Sequence, residues 1–244
     1  MRAKPLAPDR VAEGGGSFGV AVRHMFNILA PRYDSFNHWA SLGMDFGWRR
    51  AAVRALQLPS DALVLDVATG TGDLAFAAAR GVRRAVGCDF AVEMIAVART
   101  KSGVANNVSF QVARAEALPY GGERFDGVTS AFAMRNVKPV LDQVLVEMFR
   151  VLRPGGRVAI LEFSRPRHVP LRWAHGLYTR SVMPRVGRWL TGTAEPFEYL
   201  YRSIRAWLAP AAFAEQLQAA GFRQVTYRMM GLGTVALHRG QKPL

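Results

Sequence analysis

Hydrophobic and polar positions along the chain change period several times, and the changes lay out its elements. Residues 20–58 have helical spacing, with Val22, Met25, Phe26 and Leu29 on one face and interruptions at Pro31 and Gly43. A short apolar run follows, Ala62-Leu63-Val64-Leu65-Asp66-Val67, which reads as a strand buried on both faces. Beyond a glycine-rich step, helical spacing returns over 74–80. The alternation then repeats: strand 84–89, helix 92–99, strand 108–112, a loop over 113–123, strand 125–131 and helix 140–152. Pro154-Gly155-Gly156 predicts a turn into a fifth strand over 157–163. Strands alternating with helices imply a parallel sheet covered on both faces, with right-handed crossovers.

The rhythm breaks over 164–209, which reads as an insertion of short helices interrupted by Pro170, Pro184 and Gly187. A helix over 210–221 and strands near 223–229 and 234–239 complete the chain. The intervening Met230-Gly231-Leu232-Gly233 is so short that these strands should form an antiparallel hairpin. The expected fold is therefore α/β: a doubly wound, mostly parallel, seven-stranded, Rossmann-like sheet with N-terminal helices and a helical lid. Residues 1–19, basic and Gly-rich without an apolar run, are expected to be a flexible segment rather than a signal peptide, and 20–244 a single domain.

Composition narrows the chemistry. Cys88 is the only cysteine, which excludes a disulfide framework and a Cys-based zinc site and suits a reducing, cytoplasmic compartment. The five histidines lack metal-ligand spacing, so no metal is expected. No apolar run reaches the roughly 18 residues of a membrane span. Net charge is +14, with 28 Arg against 4 Lys, a surface that attracts anionic lipid or other polyanions. No RNA-binding module is visible, so nucleic acid is not expected as a partner.

The strongest local signal is Asp66-Val67-Ala68-Thr69-Gly70-Thr71-Gly72-Asp73, between the first strand and the next helix. Glycines there let the backbone turn sharply and approach a ligand closely. Asp89 ends the second strand, placed to accept hydrogen bonds from ribose hydroxyls. Gly70-Thr71-Gly72-Asp73-Leu74-Ala75 also matches the dinucleotide pattern G-x-G-x-x-A. Asp73, however, puts negative charge at the helix N-terminus where a pyrophosphate would lie, and Asp66 adds more. S-adenosylmethionine has no phosphate and carries a sulfonium and an ammonium, so these acids favour it. The loop with Arg114 after the third strand can flank an adenine ring.

Longer strings then resemble one family. The string from Val64 to Leu74 is similar to its glycine motif, and Phe132-Ala133-Met134-Arg135-Asn136-Val137 to its F-G-L/I-R-N-V motif. Arg150 to Gly156 and Leu161-Glu162-Phe163-Ser164 resemble its fifth-strand signature. Phe26, Ala30, Tyr33-Asp34 and Asn37 follow its N-terminal pattern. The family is the quinone-biosynthesis C-methyltransferases, acting on demethylmenaquinol and polyprenyl-benzoquinol, and the resemblance spans roughly residues 20 to 241. Two departures stand out: Ala131 where the family often has Ser, and Asp45-Phe46 in place of a common His-Arg pair.

The resemblance implies cofactor contacts at Thr71, Asp89, Arg114 and Ala115, which join Asp66, Gly70 and Gly72 of the turn. A sulfonium methyl is already activated, so the enzyme must align it with a nucleophile. A quinol ring carbon becomes nucleophilic once an adjacent hydroxyl ionises. Arg135, after the fourth strand, is the candidate that stabilises that phenolate, with Asn136 and Tyr33 orienting the ring. A soluble phenolic acceptor, an RNA methyltransferase and a nicotinamide-dependent oxidoreductase are the competing readings. Between 163 and 194 lie six Arg and no acid, interleaved with Leu171, Trp173, Leu177, Tyr178, Met183 and Trp189. That mixture suits a lid over a prenyl tail, resting peripherally on the inner face of the cell membrane. A helix over 171–182 would align Ala174, Leu177, Tyr178, Ser181 and Val182. Nothing in the sequence fixes the oligomeric state, which leaves room for a homodimer.

Overall fold

The computed structural model describes residues 30, 33–166, 168–177, 180, 181, 185 and 195–244. The apolar positions expected at 22–29, and Tyr178 and Val182 of the insertion stripe, lie outside the described residues.

Two short helices come first, α1 (Tyr33–Ala40) and α2 (Met44–Leu56), broken at Gly43, whose φ of 75° no continuing helix allows. The sheet begins with β1 (Leu63–Val67), followed by α3 (Asp73–Ala79), β2 (Arg84–Asp89), α4 (Val92–Lys101), β3 (Val108–Val112) and β4 (Phe125–Ala131). Then come a 3₁₀ segment (Met134–Val140), α5 (Leu141–Val151) and β5 (Leu152–Phe163). The insertion contributes α6 (Val169–Leu177) and α7 (Glu195–Ala206), and the chain continues through α8 (Pro210–Ala219), β6 (Arg223–Met230) and β7 (Val235–Gln241). The strand order is β3-β2-β1-β4-β5-β7-β6. β1 to β5 pair in parallel, while β7 runs antiparallel between β5 and β6, as the short 230–233 connection requires.

Period-two alternation sends neighbouring strand residues to opposite cores. Leu65, Val67, Val158 and Ile160 join the layer of Val144, Met148, Phe213 and Leu217 from α5 and α8. Val64, Ala159, Leu161 and Leu237 join Ala52, Leu56, Leu74 and Ala78 from α2 and α3. With both faces covered, the inner strands read as continuous apolar runs.

Two local expectations need correction. The 154–156 turn is a bulge inside β5: its register advances from Leu152 to Arg157 while β4 advances from Phe125 to Gly127. The helix expected over 140–152 is preceded by a tighter 3₁₀ segment containing Pro139, whose missing N–H cannot feed an α-helical ladder.

His238 on β7 is buried between the Phe213 and Tyr227 rings, with Nε2 bonded to the Pro210 carbonyl at 2.9 Å. Burial lowers its pKa from 6.5 to about 4, against that hydrogen bond. The unfolded chain therefore binds the extra proton first as pH falls. Stability should fall by ~3 kcal/mol from pH 6.5 to about 4 on this account and level off below. Urea unfolding should show that loss in the parent and a smaller one in His238→Gln.

Candidate functional site

The strand order reverses between β1 and β4, and the crevice at their C-terminal ends is where open α/β sheets bind ligands. Both strands leave the sheet through non-glycine residues in the left-handed region, Ala68 at φ 55° and Phe132 at φ 58°. Such strain is characteristically held at functional edges.

Asp66 organises the first exit. Its Oδ2 accepts the Thr69 hydroxyl at 2.5 Å and its Oδ1 the Thr129 hydroxyl of β4 at 2.9 Å. Burial pushes its carboxyl up to about 7, against those two donors. Asp66 thus braces the turn from below. The two glycines above it differ. Among the described residues, a side chain at Gly70 (φ 56°) would meet only the Tyr33 ring, at 3.8 Å, which leaves this backbone room for a ligand. A side chain at Gly72 (φ 90°) would run into Phe110 of β3 at 2.6 Å, so packing as well as the turn requires glycine there.

Asp89 ends β2 beside Gly70. Its Oδ2 accepts the Gly70 N–H and its Oδ1 the Ala91 N–H, each at 2.9 Å. Burial raises its pKa, opposed by the backbone donors of Ala91, Gly70 and Phe90. Four acceptor sites on the carboxylate against these three backbone donors leave room for a hydroxyl donor. The Ala113 N–H bonds the Asp89 carbonyl at 2.9 Å and draws the 114–115 backbone alongside. Ala115 is buried, whereas the Arg114 side chain turns outward into an exposed pair with Glu116 at 2.5 Å.

Thr71 donates to Asp34 of α1, and Lys101 joins Asp34 at 2.8 Å to Asp73 at 2.7 Å. On the other side of Asp73, Arg49 lies 3.5 Å and His38 3.9 Å from Oδ2. Asp45 is buried and binds Arg49, the Ser41 hydroxyl at 2.7 Å and His38 Nδ1 at 2.8 Å. Burial alone would raise its pKa, but Ser41, Arg49 and His38 together hold it below the ordinary value. His38, Asp45 and Asp73 have metal-ligand types within 4.8 Å of one another, yet the Arg49 guanidinium already contacts both carboxylates. The Asp45 departure thus supplies the buried anchor that fastens α1 and α2 to the glycine turn.

The second exit centres on Arg135. It is buried, and Nη1 donates to the Phe132 carbonyl and to Glu162 Oε1, the latter at 3.1 Å. Nε donates to Ser203 at 3.3 Å, and the guanidinium lies 5.0 Å from the Phe163 ring centroid. Glu162 Oε2 also accepts the Arg135 N–H at 3.1 Å. Sequence reasoning did not assign Glu162 a role, although an acid inside the apolar run of β5 was a visible signal. Asn136 Oδ1 accepts the Tyr199 hydroxyl of α7 at 3.2 Å, and burial pushes that phenol up to about 12. The Tyr33 phenol is raised by burial and feels the opposing charges of Arg135 and Arg49. Tyr33 thus lies within reach of the Arg135 charge, while Asn136 is tied to the insertion.

These parts suit S-adenosylmethionine: an open glycine turn, a buried carboxylate with spare lone pairs, and acids instead of an anion site at the α3 N-terminus. Fold and site define a class, the S-adenosylmethionine-dependent methyltransferases. Solved structures agree on the fold. A methyltransferase of this class from Thermotoga maritima superposes with TM-score 0.64 at 19% identity, covering 90% of this chain and 99% of that one. The [4+2]-cyclase SpnF does so at 0.67 and 17%, covering 91% and 95%.

The chain belongs to the ubiE/COQ5 methyltransferase family, whose model matches residues 16–242. It is 41% identical over 227 residues to the demethylmenaquinone methyltransferase of Deinococcus radiodurans, covering 92% of this chain and 93% of that protein. It is 41% identical over 228 residues to the ubiquinone/menaquinone biosynthesis C-methyltransferase UbiE of Nitrobacter hamburgensis, covering 90% of each.

Two outcomes test this geometry. Asp89→Ala should weaken S-adenosylmethionine binding by about 2–3 kcal/mol, read by calorimetry, since it removes a charged acceptor. Glu162→Gln strands a buried guanidinium and should lower stability by about 3 kcal/mol in urea unfolding. Adding Arg135→Met to it should restore most of that stability but not activity; strictly additive losses would contradict the pairing.

Proposed function

We propose that this enzyme transfers the methyl group of S-adenosylmethionine to a ring carbon of a prenylated quinol, with demethylmenaquinol the foremost acceptor. The family and the similarity to demethylmenaquinone methyltransferases support the substrate class. The observation that carries the residue roles is the buried Arg135–Glu162 pair just beyond the C-terminal end of β4.

Asp89, the Gly70–Gly72 turn, Thr71 and the backbone at 114–115 hold the cofactor, with Asp66 stiffening the turn. Once held there, the cofactor supplies an activated methyl on a sulfonium. Arg135 is clamped by Glu162, Ser203 and the Phe132 carbonyl; among the described residues, nothing accepts from its Nη2. That nitrogen is aimed to donate to a developing phenolate. Because Glu162 already compensates the guanidinium, the benefit comes from a fixed, desolvated donor more than from net charge. Loss of the hydroxyl proton to solvent would raise electron density at the neighbouring carbon, the position to which a held cofactor would supply its methyl, and the proton displaced from that carbon would leave to solvent as well. Asn136 and Tyr33 orient the ring.

Among the described residues no helix is long and apolar enough to cross a membrane. The acceptor's tail must then be met at the lipid surface, and we place the enzyme peripherally at the inner face of the membrane. The insertion supports a lid there: α7 docks on the 3₁₀ segment through Ser203–Arg135, Tyr199–Asn136 and Lys138 to the Ala206 carbonyl at 2.7 Å. On α6, Trp173 and Leu177 are exposed one turn apart.

Labelled methyl transfer to a panel of reduced demethylquinones, a tail-less phenol and bulk RNA tests the assignment. Label should enter the prenylated quinols; label in the phenol or RNA alone would overturn it. Arg135→Lys keeps charge but loses the planar fork. It should cut turnover by about 10²-fold or more while leaving cofactor affinity nearly intact. Normal single-turnover transfer with collapsed cofactor affinity would reverse the role.

A further inference from the structure

The turn joining α1 to α2 presents a cluster of large apolar side chains to solvent. Trp39 is 49% exposed, Leu42 80%, Met44 47% and Phe46 49%. Single exposed apolar residues are ordinary on a protein surface, whereas a contiguous group marks a contact.

The turn is stiff. Leu42 and Gly43 both take positive φ, at 51° and 75°, and the Leu42 N–H donates to the Trp39 carbonyl at 3.0 Å. The Gly43 N–H donates to the His38 carbonyl at 2.8 Å. Beneath it, Asp45 binds Ser41, His38 and Arg49. Polar groups of the turn are thus consumed inward, and the apolar ones are left outward.

Charge completes the pattern. Asp34 and Asp45 are the only acids between 33 and 56, and both are held by inward cations, Lys101 and Arg49. On α2 the outward stripe runs Phe46, Arg50, Arg54 at helical spacing, with both arginines exposed. An apolar tip backed by arginines with no outward acid complements an anionic lipid interface. A two-fold dimer through the same tip would bring two arginine stripes together. The tip is also continuous with the site. α1 is eight residues long, about 12 Å, and its first residue, Tyr33, lies against Gly70.

We infer that the 39–46 turn is a wedge that inserts into anionic lipid and sets the crevice beside the membrane, so that a tailed acceptor enters along α1. The acceptor's identity rests on the proposed quinol reading; the lipid contact does not.

The test uses the full chain with vesicles of equal parts phosphatidylcholine and phosphatidylglycerol. Leu42→Asn with Met44→Gln removes the tip, Asn tolerating the left-handed conformation. Partitioning should drop about tenfold or more, while methylation of a short-tailed quinol in buffer stays unchanged. Arg50→Gln with Arg54→Gln should weaken binding and its dependence on phosphatidylglycerol. Trp39 emission should shift to the blue on vesicles, and Trp39→Phe should lose that change. Equal partitioning of parent and tip variant, or an unmoved Trp39 signal, overturns the inference. A parent dimer that the tip variant converts to monomer, without vesicle binding, also overturns it in favour of self-association. If no quinol is methylated yet the partitioning difference holds, the substrate reading fails and the wedge stands.

Discussion

Asp66 ends β1 at the point where the sheet reverses its strand order, and its carboxylate bonds Thr129 of β4 and Thr69 of the glycine turn. Parallel strands are joined sideways by backbone ladders, but those ladders stop where the strands end. At the last paired step, Asp66 opposite Thr129, a further tie is needed to hold β1 to β4 as the chain bends through the strained Ala68. A short, buried, doubly hydrogen-bonded acid does this. It also puts the Gly70 N–H against Asp89, so the turn and the β2 terminus set each other's position. The crevice is shaped before any ligand enters, which limits the ordering that binding would otherwise require.

The second exit obeys the same logic with opposite polarity. Phe132 bends the chain out of β4, and Arg135 then bonds the Phe132 carbonyl, so the residue that follows the strain also secures it. A guanidinium this deeply buried is tolerated because Glu162 compensates it, Ser203 accepts from Nε and the Phe163 ring lies against it. Ser203 comes from α7, so the insertion is coupled to the same buried pair. A shift of α7 would therefore reach the guanidinium directly.

Much of this fold was legible in sequence because strands buried on both faces read as unbroken apolar runs. β1 is such a run, while β2, β3 and β4 occupy the predicted residues although polar positions interrupt each of them. What the sequence leaves unsaid is which neighbours each of these residues meets in the fold. Gly72 looks like one more ligand-facing glycine until Phe110, from β3, fills the space above it. Arg114 sits in a loop suited to an adenine, but a neighbouring acid, Glu116, holds its side chain in solvent. Glu162 was quoted within a motif without a role, because only the fold brings it under Arg135.

Asp45 shows how a departure from a family pattern becomes intelligible. An acid replacing a basic or neutral residue near a cationic cofactor's turn suggests a direct electrostatic contribution. Its actual partners are Arg49, His38 and Ser41, and its neighbour Asp73 shares Arg49 and Lys101. The ensemble Asp34, Asp45, Asp73, Arg49 and Lys101 carries three negative and two positive formal charges, with the His38 ring against Asp45 and Asp73. Such a network contributes less to stability than its many ion pairs suggest, because burying each charge costs nearly what pairing returns. What it secures is geometry. α1 can lie on the glycine turn only in the orientation that satisfies Thr71, Asp34 and Asp73 together. That orientation fixes Tyr33 against Gly70 at one end of α1 and turns Trp39 and Leu42 outward at the other.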